Sequence, residues 1–336
     1  MGNLHTQIAC PYENYLAKLS VRRVKIRAMN TSQKDQLHRF IFDNTAVRGN
    51  TVQLNNTFTT SLQHHNYPPV LKRALGELMA ASALLAATLK IEGGALVLQI
   101  QGKGALKLLV VECKLKSNAE AITMRATATL DSNVDVNSLD SLSFGQLVGK
   151  GQFIITLDLK NNPKDGNQAY QGIVPIEGDS IAAMLENYMH RSEQIETRIW
   201  LSCDDKVASG MLLQKLPDLP EQDADAWNRL GYLANTVRDE ELLNLSAEDL
   251  LHLMFSEEDV RLFDAQAISF SCSCSQTSVG NMLRLLGEVE INSILQERDT
   301  IEVNCDFCNK HYEFDKVDAE QLFAVAVPAP TSKAKH

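Results

Sequence analysis

The sequence contains no uninterrupted apolar run near the roughly 20 residues needed to cross a bilayer. Its first residues also lack the apolar centre of a secretory signal, so the cytosol is the expected compartment. There is no Gly-rich phosphate cradle, no HExxH helix and no convincing Ser-His-Asp arrangement, which leaves the familiar phosphate-binding, metalloprotease and serine-hydrolase chemistries without a motif. Basic charge is short as well: 32 Lys and Arg against 42 Asp and Glu give a formal net charge of −10. That balance repels nucleic-acid backbones as a whole and favours protein partners. Cysteine is too sparse and too uneven for a secreted disulfide framework, with seven in the chain, four of them clustered and Cys10, Cys113 and Cys203 scattered. Reduced thiols are therefore expected at rest.

With 336 residues, 44% of them hydrophobic, the chain can bury a sizeable core and has the length for two or three domains. Residues 1–28 are basic with one acid, Glu13, and are expected to lie outside the fold as a disordered or untranslated leader. Arg22, Arg23, Lys25 and Arg27 suit a transit peptide, whereas Met29 directly before a helix-like segment suits an upstream extension of the reading frame. From Ser32, the spacing of Leu37, Phe40 and Ile41 predicts a short amphipathic helix. After Pro68 and Pro69 the segment through Lys90 predicts a long helix buried on most sides. Strand-like runs follow at 95–102, 106–114, 121–130, 152–159 and 169–176. Asp179 can cap a helix over 180–194, and 197–205 with 209–216 read as a further strand pair. Residues 29–217 thus predict one α+β domain, an antiparallel sheet with packed helices.

Pro217 and Pro220 mark a boundary. Beyond it, residues 218–265 predict an acidic helical linker with two apolar stripes, Trp227, Leu230 and Leu233, then Leu250, Leu253 and Met254. Such a segment repels itself and should depend on docking against apolar surface; an ordinary solvated face is the plainer alternative. Residues 266–325 predict a small terminal domain, and 326–336 a disordered tail.

The terminal domain holds Cys272-Ser273-Cys274 and, after the stretch from Ser275 to Asn304, Cys305-Asp306-Phe307-Cys308. Four thiols in two tight sets can close a tetrahedral sulfur cage around Zn2+, and can equally close two short-range disulfides if zinc is lost. A domain this small has little apolar core, and zinc supplies on the order of 10–16 kcal/mol to comparable metallo-domains. A Cys-x-Cys disulfide ring is strained and readily reduced, a property of switches. Spacing alone favours a purely structural zinc knuckle. His311 competes as a ligand, although a histidine beside Tyr312 is more often a packing residue. Cys113 and Cys203 read as inert small hydrophobes in strands, and His64-His65 as a loop.

These residues resemble a known family, the redox-regulated thirty-three-kilodalton heat-shock chaperones. The similarity spans residues 33–325 through QLHRFIFDNTAVRGN (36–50), YQGIVPIEGDSIAAMLENYMHRSEQIETR (170–198), GMLLQKLP (210–217), EELLNL (240–245) and the intact four-cysteine pattern. The resemblance implies that Cys272, Cys274, Cys305 and Cys308 hold one zinc ion when reduced, and that oxidation pairs Cys272 with Cys274 and Cys305 with Cys308. It further implies a metastable linker, a homodimer when activated, and a non-enzymatic holdase that binds unfolding client proteins under oxidative and heat stress. Trp227, Leu230, Leu233, Leu250 and Leu253 are candidate client contacts, with permanent core the alternative for each. Two other functions are weighed against this one. A thiol-disulfide oxidoreductase using Cys305 and Cys308 lacks the thioredoxin-like context, and a zinc module on nucleic acid conflicts with the acidic balance.

Overall fold

The computed structural model describes residues 35–89, 93–115, 121–158, 169–216 and 223–324. The expected leader at 1–28, the proline boundary at 217–220 and the tail at 326–336 lie outside these residues. Strands β1 (Gln36–Phe42) and β2 (Val47–Leu54) lead into helices α1 (Asn56–Leu62) and α2 (Pro69–Ala86). Then come β3 (Ala95–Gly102), β4 (Leu106–Leu115), β5 (Ala121–Leu130), the short α3 (Phe144–Val148), β6 (Gly151–Asp158) and β7 (Ala169–Pro175). Helix α4 (Ile181–Arg191) and strands β8 (Thr197–Cys203) and β9 (Ala208–Lys215) follow. A helical segment of α5 (Ala226–Ala234), α6 (Asp239–Asn244) and α7 (Ala247–Phe255) then leads to β10 (Val260–Leu262) and β11 (Gln266–Phe270).

Among the described residues, eleven strands form one sheet in the order β7-β6-β3-β4-β5-β11-β1-β2-β9-β8, with β10 also on β1. Its pairings are antiparallel except for β11, which runs parallel to β5. The fold is α+β. The five runs expected as strands between residues 95 and 176 form β3 to β7 within a residue of their expected bounds. Gln266–Phe270, grouped by sequence with the terminal domain, hydrogen-bonds into the large sheet between β5 and β1.

Helix α2 starts with Pro69 at its first turn, where a missing N–H is harmless, and covers one face of the sheet. Its small residues Ala80, Ala81, Ala83 and Ala86 are buried and admit the strands closely. The cap of α4 is Ser180 rather than Asp179: the Ser180 hydroxyl accepts the Ala183 N–H at 3.2 Å.

The segment expected as an amphipathic helix from Ser32 is instead β1. Leu37 packs into the core beneath α2, while Phe40 and Phe42 enter a second core on the opposite face. A strand buried on both faces loses its period-two alternation, and its apolar spacing then mimics a helix. Its partner β2 escaped the sequence reading because Gly49 and Asn50 interrupt it. Gly49 is required there: a Cβ would overlap the Phe40 ring, which lies across it.

The second core forms where α5, α6 and α7 lie on β1, β2 and β9. Trp227, Leu230, Leu250 and Phe255 pack with Phe40, Phe42, Met211 and Leu213, and Leu233 and Leu253 flank them half-buried. Polar ties fix the same contact. Near the end of α6, carbonyls left without helical partners accept bonds from the sheet: Leu242 from the Ser209 hydroxyl at 2.7 Å and Leu243 from the Gln53 amide at 2.6 Å. The Arg198 guanidinium lies 4.7 Å over the Trp227 ring, in space that the missing side chain of Gly231 leaves free. Arg229 joins Asp223 and Glu258, each at 2.8 Å, and offsets part of the segment's acidic self-repulsion.

Gly49→Ala is expected to destabilise the protein by about 1–3 kcal/mol, the usual cost of overpacking a closed core. Urea unfolding checks this; an unchanged midpoint would mean that the Phe40 ring can move aside freely.

Candidate metal centre

After β11 the chain stays on the sheet for one more bond, from the Ser271 N–H to the Met124 carbonyl at 3.1 Å, and then presents Cys272 and Cys274. Ser275 ends this turn by capping α8 (Gln276–Leu286), its hydroxyl accepting the Ser278 N–H at 3.1 Å. Helix α9 (Glu288–Glu297), a hairpin of β12 (Ile301–Asn304) and β13 (His311–Phe314), and α10 (Lys316–Ala324) complete the block. The hairpin turn carries Cys305 and Cys308. It closes through Cys305 N–H to the Lys310 carbonyl at 3.0 Å and Asn309 N–H to the Cys305 carbonyl at 2.7 Å. Asn309 takes φ 54°, a left-handed conformation that asparagine tolerates.

The block's own buried apolar core is small: Val279, Leu283, Ile291, Leu295, Ile301, Tyr312, Phe314 and Ala319. That is little for independent stability. Against this core the four sulfurs converge to within 4.8 Å of one another, all half-buried. Cys272 lies 3.7 Å from Cys305 and Cys274 lies 3.4 Å from Cys308, so the two sets interleave. A tetrahedral zinc with Zn–S bonds of about 2.3 Å separates its sulfurs by roughly 3.8 Å. The observed spacing fits such a cage, and the four cysteines could bind a metal ion.

Electrostatics make the same point. Burial opposes ionisation of Cys274, but hydrogen bonding from the Tyr312 hydroxyl and neighbouring thiols outweighs it and brings its pKa down to about 7. Burial and thiol neighbours push Cys308 up to about 12, and burial raises Cys305. Burial first, and the neighbouring thiols after it, thus favour the protonated form of Cys305 and Cys308, while Cys274 ionises more readily. A cation among the sulfurs reverses that preference. The Tyr312 hydroxyl is buried, and the Cys274 sulfur is the acceptor it faces.

Other candidates from the sequence stand apart. His311 is exposed and pairs with the Asn304 side chain at 2.9 Å, and it lies outside the sulfur group. Cys113 and Cys203 are buried in strands, their thiols pushed up by burial. Cys10 lies outside the described residues. His64 bonds to Gln63, whereas His65 reaches the hairpin, its ring nitrogen 3.3 Å from the Phe307 carbonyl.

Sequence reasoning missed three residues that meet the cluster from the sheet. Arg125 on β5 donates to the Cys272 sulfur at 3.7 Å and lies 4.1 Å over the Phe307 ring. Glu112 on β4 pairs with Arg125, and Lys114 donates to the Ser273 hydroxyl at 3.3 Å. Alternation along β4 and β5 places all three on the face away from α2, but nothing in their spacing announces a partner 147 residues further along the chain.

Comparison with known proteins agrees with this picture. The family model described as Hsp33 protein matches residues 35–315. A 33 kDa chaperonin of Methylobacillus flagellatus is 59% identical over 303 residues, covering 90% of this chain and 99% of that protein. One from Chromobacterium violaceum is 46% identical over 308 residues, covering 92% of this chain and all of that protein. The crystal structure of the 33 kDa chaperonin of Thermotoga maritima superimposes with a TM-score of 0.70 at 22% identity, over 86% of this chain and 98% of that one, a likeness of fold. With the family model matching most of its length and near full-length relatives at 59% and 46% identity, the chain belongs to the Hsp33 family.

Proposed function

We propose that the protein is a redox-regulated holdase, inactive when reduced and active when oxidised, which binds unfolding proteins and keeps them from aggregating under oxidative and heat stress. The observation that carries this reading is the convergence of four sulfurs on a block whose own buried apolar core is small. Cys272, Cys274, Cys305 and Cys308 would hold one zinc ion as thiolates. Bound there, zinc supplies the charge that lets four thiolates coexist and ties the hairpin to the Cys272 turn.

A thiolate attacks a hydroperoxide oxygen and breaks its O–O bond, the resulting sulfenic acid condenses with a second thiol, and a disulfide forms with loss of water. Hydrogen peroxide takes up the two electrons released and two protons, leaving as two waters. Two such events consume all four sulfurs, and the cage can no longer be made. Pairing of Cys272 with Cys274 and of Cys305 with Cys308 follows from the family resemblance, and the cluster keeps all four sulfurs within reach of one another. The block then loses its staple and melts. The helical segment 226–255, docked through one apolar contact and a few polar ties, comes away with it and uncovers apolar surface for clients.

No ATP and no turnover are required; the relatives are each named 33 kDa chaperonin. The clients are proteins exposing apolar segments, the active form is a homodimer, and the cytoplasm is the site of action. Among the described residues no helix is long and apolar enough to cross a membrane. The working division of the chain is a leader at 1–28, a core at 29–217, a metastable linker at 218–265, a redox block at 266–325 and a tail at 326–336. Within it, β11 serves as the part of the block built into the core sheet.

Light scattering from a heat-unfolding client is expected to fall only when the zinc-loaded protein has been treated with peroxide under mild warming, and dithiothreitol with zinc should restore the inactive form. Equal protection in both states would contradict the switch. Leu230→Ala is expected to weaken docking of the helical segment by about 2–5 kcal/mol and to confer holdase activity on the reduced protein without metal release. A reduced variant as inactive as the wild type would separate client binding from this contact.

A further inference from the structure

Strand β11 is the connection between the two halves of the large sheet: without it, β7-β6-β3-β4-β5 and β1-β2-β9-β8 share no ladder in the strand order. It is only five residues long and leads directly into Cys272. What pins its C-terminal end is therefore of consequence for the whole sheet. The Ser271 N–H bonds to β5, and beyond that the contacts belong to side chains of β4 and β5.

Arg125 makes the principal one. Its guanidinium is held by the Glu112 carboxylate at 2.7 Å and 2.5 Å, in a part-buried pair whose side chains are 19% and 13% exposed. From that fixed position it donates to the Cys272 sulfur and covers the Phe307 ring. Lys114 braces Glu112 from the other side at 2.8 Å. Phe307 lies between two of the four cysteines, inside the Cys-x-x-Cys turn, so its ring meets Arg125 only while that turn keeps its shape. A guanidinium hydrogen bond to sulfur is strongest when the sulfur carries negative charge. Conversion of Cys272 to a disulfide removes that charge, and closure of Cys305 on Cys308 reshapes the turn that presents Phe307.

We propose that Arg125, positioned by Glu112, is the latch that holds the sulfur block and the end of β11 on the sheet, releasing both when the sulfurs oxidise. It rests on the reading of the four sulfurs as the switch. Release frees the strand that joins the sheet halves and leaves the facing edges of β5 and β1 unpaired. Arg125 acts through Cys272 and Phe307 as a positioning residue and takes no part in the thiol chemistry.

Amide hydrogen exchange of the reduced, zinc-loaded full chain tests this at residues 267–270 and 306–310. Arg125→Met and Phe307→Leu should each speed exchange there by roughly fivefold, the effect expected of a part-buried cation–ring contact, with metal content unchanged. The double variant should go no further than the singles, and Arg125→Lys should recover part of the protection. Should Arg125→Met unfold the chain, Glu112→Gln, which touches no sulfur, carries the same expectation. Exchange unchanged in the single variants, or single effects that multiply in the double, would overturn the latch. Wild-type protein treated with peroxide is read in parallel. Metal release there with silent variants defeats the latch and leaves the switch standing, whereas retention of metal defeats the switch even if the variants loosen β11.

Discussion

Four sulfurs held within 4.8 Å of one another cannot all be thiolates unless a cation sits among them. Burial, and then the neighbouring thiols, push Cys308 up to about 12, whereas hydrogen bonding to its sulfur brings Cys274 down to about 7. Everything in the terminal block follows from this constraint. Its eight-residue buried core is too small to hold two helices, a hairpin and a closing helix together without a staple. On the proposed reading, metal occupancy and folding become one equilibrium there, and a reaction that spends the sulfurs on each other would act on the fold.

The sheet places that equilibrium where it matters. One face is closed by α2 in a large apolar core. The opposite face is covered in two parts, by α5 to α7 over β1, β2 and β9, and by the sulfur block over β4 and β5. The first cover joins apolar packing to a few side-chain ties from Ser209, Gln53 and Arg198; the second rests on Arg125, Lys114 and His65. Strand β11 links them, lying between β5 and β1 and running into Cys272. On the proposed reading, a change at the sulfurs would reach the strand adjoining β1, on which Phe40 and Phe42 pack against the helical segment.

Much of this was legible in the sequence wherever a residue's role is set by its neighbours in the chain. Cys272, Cys274, Cys305 and Cys308 announced a cluster by spacing alone, and β3 to β7 followed from strand-like runs punctuated by turn residues. The acidic segment read as short helices with apolar stripes, and those stripes pack on the sheet where a solvated face was the plainer reading. Reading failed where distant parts of the chain decide the outcome. Leu37, Phe40 and Ile41 mimic a helix because β1 is buried on both faces by different elements, and Gly49 hides β2 because it makes room for a ring from the neighbouring strand. Arg125 and Glu112 looked like ordinary strand polars, since their partners Cys272 and Phe307 are brought to them only by the tertiary fold.

The central claim, that the state of the sulfurs governs docking of the helical segment, can be followed at Trp227, buried beneath Arg198. The chain has two tryptophans, so Trp200→Phe leaves Trp227 as the sole reporter. During a peroxide titration of that variant, zinc release and Trp227 exposure to a soluble quencher should rise together and reverse together on reduction with zinc. Metal that leaves completely while Trp227 stays buried would contradict the account.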